Sequence, residues 1–146
     1  MNPPTPILPA SHGIQPWMRG FLLLAFGYNL LWGVFISQWP DSFYTWVQQK
    51  TGVIEAPDLI TYQGYGVLLM ALVYLVASMR PAKMWYLVAL GAGTKVLGAL
   101  GFWLLIMEQA TTKRFLFHLI FNDLVWVPIL AYIAWKGYIG AKEAKV

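Results

Sequence analysis

Cysteine is absent from this 146-residue sequence, and histidine occurs only twice. Without cysteine the chain has no disulfide bonds, no thiolate nucleophile and no thiolate metal site. Neither His12 nor His118 has a partner residue at the spacing of a metal site, so we expect no dedicated transition-metal centre. No cofactor motif is evident in the sequence either.

Charge is also scarce, because charged residues make up 11% of the sequence and hydrophobic residues 59%. A soluble protein carries roughly 25% charged residues, since water must wet its surface. We therefore expect the surface of this chain to face the lipid bilayer. The net charge of +4 would favour a nucleic-acid partner in a soluble protein. Here the basic residues flank apolar segments and are better interpreted as topology signals, so no nucleic-acid partner is expected.

Four apolar segments approach the roughly 20 residues that a helix needs to cross a bilayer. They cover about residues 21–37, 59–78, 84–107 and 115–135. Short polar links join the later segments and make consecutive helices antiparallel. We therefore predict an all-α integral membrane protein, folded as a four-transmembrane-helix antiparallel bundle over residues 17–138.

The two ends of the chain differ in composition from this predicted helical domain. Residues 1–13, MNPPTPILPASHG, are rich in proline and carry no charged side chain. They lack the basic start and the small-residue cleavage pattern of a signal peptide, so the first segment is predicted to stay attached as a helix. Residues 1–16 are predicted to be a disordered tail and residues 139–146 a basic tail.

The sequence between the first two segments, WPDSFYTWVQQKTGVIEAPDL, is too polar to cross a bilayer and too aromatic for a plain linker. Phe43, Trp46 and Val47 share one face at helical spacing. This pattern predicts either a short helix lying in the membrane interface or an ordered loop that caps the bundle. Pro57 and Asp58 then suit the first turn of the second long helix.

Basic residues are distributed unequally between the two ends of the predicted bundle. An even number of crossings places both termini on one side. That side collects Arg19, Arg80, Lys83, Lys136, Lys142 and Lys145, whereas the other holds Lys50, Lys113 and Arg114. The acidic residues Asp41, Glu55, Asp58 and Glu108 fall on the second side. The positive-inside rule then predicts that both termini are cytoplasmic.

Two charged side chains lie well inside the predicted segments, Lys95 in the third and Asp123 in the fourth. Counted at about 1.5 Å per residue from the cytoplasmic ends, they are roughly 18 and 20 Å deep, near the middle of a core about 30 Å thick. Because their helices are consecutive and antiparallel, we predict that the two side chains meet. They form either a structural ion pair that fixes helix register or a site for an ion, a proton or a lipid-derived headgroup.

Other polar residues are predicted near this pair. Asn29 in the first segment is roughly 15 Å deep and within reach of it, and Asn122 precedes Asp123 although it points about 100° around the helix. Gln63 and His118 form a second level roughly 26 Å from the cytoplasmic ends. Together these residues would make a polar path from the outside to the centre. Alternatively, His118 lies at the level of the lipid headgroups.

Small residues line two of the predicted helices. The third helix carries them on the face of Lys95 and the second in a seam, and the positions are Gly91, Gly98, Gly101, Gly64 and Ala71. Small residues let membrane helices approach closely, so we interpret these positions as helix packing contacts.

The fourth segment contains features at its start and in its middle that shape the helix. Thr111 or Thr112 is placed to cap its first turn. Pro128 has no N–H to donate to the carbonyl oxygen of Leu124, which predicts a kink near Asp123.

Several motifs together resemble a known group of proteins: YNLLWG in the first helix, WPDSFY after it, YGVLLMALVYLVASMRP in the second, TKVLGALGF in the third and FNDLVW in the fourth. Over residues 17–135 the chain is similar to small bacterial four-helix membrane proteins and, more loosely, to the DoxX-like superfamily. The resemblance implies a four-helix bundle in a bacterial inner membrane. Some DoxX-like proteins are accessory subunits of membrane redox systems, and no catalytic residue transfers to a position in this chain.

Three functions fit these observations. The first is a non-enzymatic accessory or binding subunit, which belongs to a homo-oligomer or a larger membrane complex, including a membrane redox complex. The second is an oligomeric transporter of a small molecule, ion or proton along the path of Lys95, Asp123 and His118. The third is a membrane enzyme acting on a lipid or quinone-like substrate. The sequence favours the first because it contains no evident catalytic constellation.

Overall fold

The computed structural model describes residues 13–48, 57–106 and 112–143. Within these ranges the regular structure is helical throughout, without a strand. The elements are α1 (Pro16–Gln38), α2 (Pro40–Gln48), α3 (Pro57–Met79), α4 (Trp85–Ile106), α5 (Lys113–His118), a π-helical turn (Leu119–Leu124) and α6 (Val127–Glu143). The predictions for His12, Lys50, Glu55, Glu108, Thr111 and Lys145 lie outside the described residues.

Three helical stretches are long and apolar enough to cross a membrane, judged by length and composition: Pro16–Gln38, Asp58–Met79 and Lys113–Glu143. They match the first, second and fourth predicted segments. The third predicted segment forms α4, of which the stretch Trp85–Gly101 is apolar but shorter. The prediction of four apolar helices is therefore confirmed. The apolar stretch of α4 is shorter than those of the other three helices.

Helices α1 and α3 form the most extensive contact of the bundle and run antiparallel. Near the start of α1, Arg19 Nε donates to the carbonyl oxygen of Ser78 near the end of α3, at 3.1 Å. Near the end of α1, the backbone of Ser37 lies against Gly64, close to the start of α3. This reciprocal order of contacts defines the antiparallel pairing.

Helix α4 runs antiparallel to both α3 and α6. The hydroxyl of Tyr74 in α3 donates to the carbonyl oxygen of Gly91 in α4, at 3.0 Å. At the same end of α4, Trp85 packs against Gly137 of α6. Helix α6 also contacts α1, where the rings of Trp17 and Tyr132 stack with centroids 6.3 Å apart. Among the described residues, each long helix is thus antiparallel to its neighbours, as predicted.

The segment between α1 and α3 contains a short helix, α2, which closes one end of the bundle. Phe43 and Val47 on its inner face are buried, and Trp46 is half-buried, so the predicted shared face is confirmed. The hydroxyl of Thr112 donates to the carbonyl oxygen of Val47 and so connects α2 to the start of α5. The same hydroxyl accepts the N–H of Phe115 at 3.0 Å, which confirms Thr112 as a helix cap.

The fourth apolar segment is interrupted near Asp123, where the sequence predicts a kink, but the interruption is a π-helical turn that precedes Pro128. Its chain changes to π-helical bonding before that residue, where Val125 N donates to Ile120 O, five residues earlier, at 2.9 Å. Pro128 occupies the second position of α6, where its missing N–H costs little because the first N–H groups of a helix have no partner within it. The interruption therefore lies N-terminal to the proline, next to Asp123.

The ends of the bundle differ slightly from the predicted boundaries. Helix α1 begins at Pro16, the last residue of the predicted N-terminal tail. Residues 13–15, the part of the tail before α1 that the structure describes, are not helical. Helix α6 continues to Glu143, beyond the predicted end of the helical domain at residue 138.

The small residues fall into two groups in the structure. A Cβ atom added to Gly64 would lie 2.5 Å from the backbone N of Ser37, and one added to Gly91 would overlap the ring of Tyr74, so both glycines lie in close helix contacts. Ala71 is fully buried as well. Gly98 and Gly101 show no such contact, because no described atom lies within 4 Å of a Cβ at either position, and their role in packing stays a prediction.

Candidate functional site

Lys95 and Asp123 meet in the interior of the bundle. The Nζ atom of Lys95 lies 3.4 Å from Oδ1 of Asp123, and it donates to the carbonyl oxygen of Asn122 at 2.6 Å. Lys95 is 5% exposed and Asp123 7% exposed. The predicted contact is confirmed, and a functional role for the pair stays a prediction.

The π-helical turn determines which acceptors Lys95 reaches. In a regular α-helix the carbonyl oxygen of Asn122 would accept the N–H of Trp126. Here that N–H donates to Asp123 O at 3.2 Å, and the ammonium group of Lys95 bonds to Asn122 O. The indole Nε1 of Trp126 donates in turn to Phe121 O at 2.8 Å. Side chains therefore satisfy two carbonyl groups at the interruption, as an apolar interior requires.

Asn122 lies closer to Asp123 than the sequence predicts. Its Nδ2 donates to Oδ1 of Asp123 at 3.3 Å, and both side chains are buried. The expected separation of about 100° assumes a regular α-helix. A π-helical turn contains more residues per turn, so consecutive side chains are closer in direction and both point inward. One carboxylate oxygen thus receives both the ammonium group and the amide.

Asn29 reaches the same level of the bundle but does not bond to the pair, which corrects the sequence prediction. Its Nδ2 donates to the carbonyl oxygen of Ala25, one turn earlier on α1, at 2.7 Å. Asn29 is buried, and its Oδ1 has no hydrogen-bond partner among the described residues. The side chain is therefore held by its own helix and keeps one acceptor without a partner.

A cavity of about 310 Å³ lies beside the ion pair. Four helical elements line it, with Asn29 from α1, the π-helical turn at the opposite side, and α3 and α4 between them. Its lining residues are Asn29, Gln63, Gly66, Val67, Leu69, Met70, Thr94, Lys95, Gly98, Asn122 and Asp123. The structure thus places five of the six polar residues predicted from the sequence around one cavity.

His118 is the sixth and does not line the cavity. It is 1% exposed and lies among aromatic rings, with centroid distances of 5.4 Å to Trp32, 5.1 Å to Phe43 and 6.4 Å to Trp46. Its position under α2 is inside the bundle and not at an exposed end. His118 therefore does not join the cavity that contains the ion pair, and its depth in the membrane stays a prediction.

Sequence reasoning missed five residues that line the cavity: Gly66, Val67, Leu69, Met70 and Thr94. Thr94 Oγ1 is 3.2 Å from Met70 Sδ and donates to Gly91 O at 2.9 Å. Thr94 precedes Lys95 within the small-residue face, and that position was the available signal. Met70 gives no such signal, because a methionine in an apolar helix is ordinary.

The polar groups that line this cavity can form hydrogen bonds. The two opposite charges compensate each other, and the remaining polar groups of the lining are three amides and a hydroxyl. Acid–base catalysis needs a positioned group that is free to exchange a proton, whereas Asp123 already accepts from two donors. Across the described residues, no group of three or more His, Cys, Asp or Glu side chains is arranged to hold a metal ion.

Fold and site together define an all-helical chain with several apolar helices around a buried ion pair. Comparison with known protein families, curated proteins and solved structures finds no match for this chain. The resemblance to DoxX-like proteins therefore rests on the sequence motifs and stays a prediction.

Proposed function

We propose that this protein is a four-span integral membrane protein, and the distribution of side chains supports the proposal. Its buried residues include Asn29, Asn122 and both members of the ion pair, whereas leucines such as Leu31, Leu97 and Leu104 are exposed. A soluble protein shows the opposite arrangement, because water favours polar groups at the surface. Lipid accepts exposed leucines and disfavours exposed charges.

The proposed location is a bacterial inner membrane, with both termini in the cytoplasm. The end of the bundle at which α1 begins and α6 ends carries Arg19, Arg80, Lys83, Lys136 and Lys142 among the described residues. The opposite end carries Lys113 and Arg114, together with Asp41 and Asp58. Basic residues are concentrated on the cytoplasmic side of membrane proteins, which supports this orientation.

Within the membrane, the protein acts as a non-enzymatic binding subunit whose cavity holds a small molecule. The observation that carries this proposal is the cavity of about 310 Å³ beside Lys95 and Asp123. Ligand pockets start at roughly 300 Å³ and combine an apolar lining with a few polar groups. Such a subunit would belong to a homo-oligomer or a larger membrane complex, and the DoxX-like resemblance makes a redox complex the first candidate.

Native mass spectrometry of the protein, extracted from its own membrane into nanodiscs, tests this proposal. We expect a peak for the protein with a retained small molecule. The same peak should be lost from the double variant Lys95→Met/Asp123→Leu, in which the two charged groups of the lining are removed without leaving an unpaired charge. A wild-type protein that carries no small molecule, and that purifies without any partner subunit, would contradict the binding function.

Transport is the second candidate, and the interrupted fourth segment supports it. Discontinuous helices in many transporters present backbone groups to the substrate near the middle of the membrane. The π-helical turn presents its Asn122 carbonyl group in a comparable way, to Lys95. Proton flux into proteoliposomes can be followed with a fluorescent pH indicator trapped inside them. A proton flux that is lost in the double variant would favour proton transport over binding alone. An unchanged flux would exclude the pair from proton transport.

A further inference from the structure

The cavity beside the ion pair reaches the surface of the bundle between α3 and α4. The two helices touch at one end, through the hydrogen bond from Tyr74 to Gly91. Farther along, Gly66 of α3 and Gly98 of α4 have no described atom within 4 Å of an added Cβ, which leaves a gap at these two positions. Both glycines are exposed and line the cavity, and Leu69 next to them is 58% exposed. In a membrane this gap would open to the lipid.

The inner end of the cavity offers both donors and acceptors of hydrogen bonds. Lys95 Nζ has three N–H bonds, and the described acceptors around it are Asn122 O and Asp123 Oδ1, so one N–H is left. Three amide oxygens of the lining have no partner among the described residues: Asn29 Oδ1, Gln63 Oε1 and Asn122 Oδ1. Asn29 and Asn122 are almost completely buried. Buried acceptors of this kind are costly unless a donor reaches them.

We propose that the gap between α3 and α4 is a lateral portal, through which a neutral glycerolipid with a free hydroxyl group, such as a diacylglycerol, enters the cavity from the bilayer. This proposal rests on the binding function proposed above. The ester carbonyl of the lipid would accept the remaining N–H of Lys95, and its hydroxyl group would donate to one of the three amide oxygens. The acyl chains would leave past Gly66 and Gly98 and lie along Leu69 and Leu97.

The charges of the site favour a neutral headgroup. Lys95 and Asp123 compensate each other at 3.4 Å, so a charged headgroup would bring an uncompensated charge into an apolar interior. The cavity volume of about 310 Å³ is sufficient for a glycerol headgroup. The amide oxygens require a ligand that donates, which a simple ester or hydrocarbon does not do.

A photolabelling experiment in phosphatidylcholine nanodiscs tests the portal and the headgroup together. The probe is a diacylglycerol with a diazirine and an alkyne on one acyl chain, and the comparison probe is a phosphatidic acid with the same chains. The test variant is Gly98→Leu, whose side chain fills the gap without meeting the backbone of another helix. The matched control is Gly93→Leu, because Gly93 is also exposed on α4 with open space around it but does not line the cavity.

We expect the diacylglycerol probe to label α3 and α4 peptides of the wild type and of Gly93→Leu. Labelling of Gly98→Leu should fall about tenfold, which corresponds to about 1.4 kcal/mol of lost binding. Unlabelled diacylglycerol should compete with the probe on the wild type. If Gly98→Leu does not fold, this competition still tests the ligand class. The portal is then tested with Gly66→Leu in place of Gly98→Leu.

Three results would overturn the proposal. Equal labelling of Gly98→Leu and Gly93→Leu would exclude the portal. Equal or stronger cavity labelling by the phosphatidic acid probe would exclude the neutral headgroup. No competition by unlabelled diacylglycerol would exclude the ligand class. If native mass spectra still show a retained small molecule in any of these cases, the binding function stands and only the lateral access of a glycerolipid fails.

Discussion

The ammonium group of Lys95 is bonded more closely to the backbone of Asn122 than to the carboxylate of Asp123. Its Nζ atom lies 2.6 Å from Asn122 O and 3.4 Å from Asp123 Oδ1. The π-helical turn supplies the nearer acceptor, so Lys95 is held by a backbone interruption as well as by an opposite charge. The two members of the ion pair are therefore not equivalent.

This asymmetry predicts different costs for the two single substitutions. Lys95→Met leaves a buried carboxylate whose described donor is one amide, and we expect it to lower the free energy of unfolding by about 3–5 kcal/mol. Asp123→Leu leaves Lys95 bonded to Asn122 O, so we expect a smaller loss of about 1–3 kcal/mol. The double variant should cost less than Lys95→Met alone, about 1–3 kcal/mol, because it leaves no unpaired charge but still removes the donor to Asn122 O.

Reversible unfolding in mixed micelles, followed by tryptophan fluorescence, measures these differences. Lys83→Met serves as the control, because Lys83 is exposed at the end of the bundle and its substitution should change stability by less than about 0.5 kcal/mol. Equal costs for the two single variants would show that the backbone bond contributes little. Additive costs in the double variant would show that the two charges do not stabilise each other.

Two neighbouring glycines of α3 should respond in opposite ways to alanine. In Gly64→Ala the new Cβ meets the backbone of Ser37 at 2.5 Å, so α1 and α3 must separate, and we expect a loss of about 1–3 kcal/mol. In Gly66→Ala the Cβ meets nothing within 4 Å, and the better helix former should add about 0.5–1 kcal/mol. The same unfolding assay measures both, and a loss of stability in Gly66→Ala would contradict the open gap beside it.

The indole N–H of Trp126 should stabilise the interruption of the fourth segment. Trp126→Phe keeps most of the ring contacts with Phe21 and Tyr28 but removes the donor to Phe121 O, so we expect a loss of about 1 kcal/mol and faster amide exchange in the π-helical turn. Trp17→Phe is the control, because its indole N–H bonds to the exposed side chain of Gln15. An unchanged exchange rate in Trp126→Phe would show that other contacts maintain the turn.

The sequence predicted the long helices and the meeting of Lys95 and Asp123 because both follow from the chain alone. Apolar length determines a membrane-type helix, and the depth of a residue follows from counting along antiparallel helices. The cap at Thr112 and the inner face of α2 were also predictable, since both depend on local spacing.

The geometry of regular helices does not predict the details of the site. The π-helical turn changes the direction of Asn122, and α2 covers His118, so neither position follows from helical counting. The glycines of α4 look alike in the sequence, yet Gly91 packs against Tyr74 and Gly98 faces open space. The difference depends on how neighbouring helices are placed around α4, which is a property of the whole bundle.

The absence of cysteine makes the proposed orientation directly testable. Single variants Ser42→Cys, on α2, and Lys83→Cys, between α3 and α4, place one reactive thiol at an exposed position at each end of the bundle. If both termini are cytoplasmic, a membrane-impermeant maleimide should label Ser42→Cys in spheroplasts, whose outer membrane has been removed. It should label Lys83→Cys only after the inner membrane is permeabilised. The wild type, without a thiol, controls for background. Labelling of Lys83→Cys alone in intact cells would reverse the orientation, and labelling of both would contradict the proposed membrane arrangement.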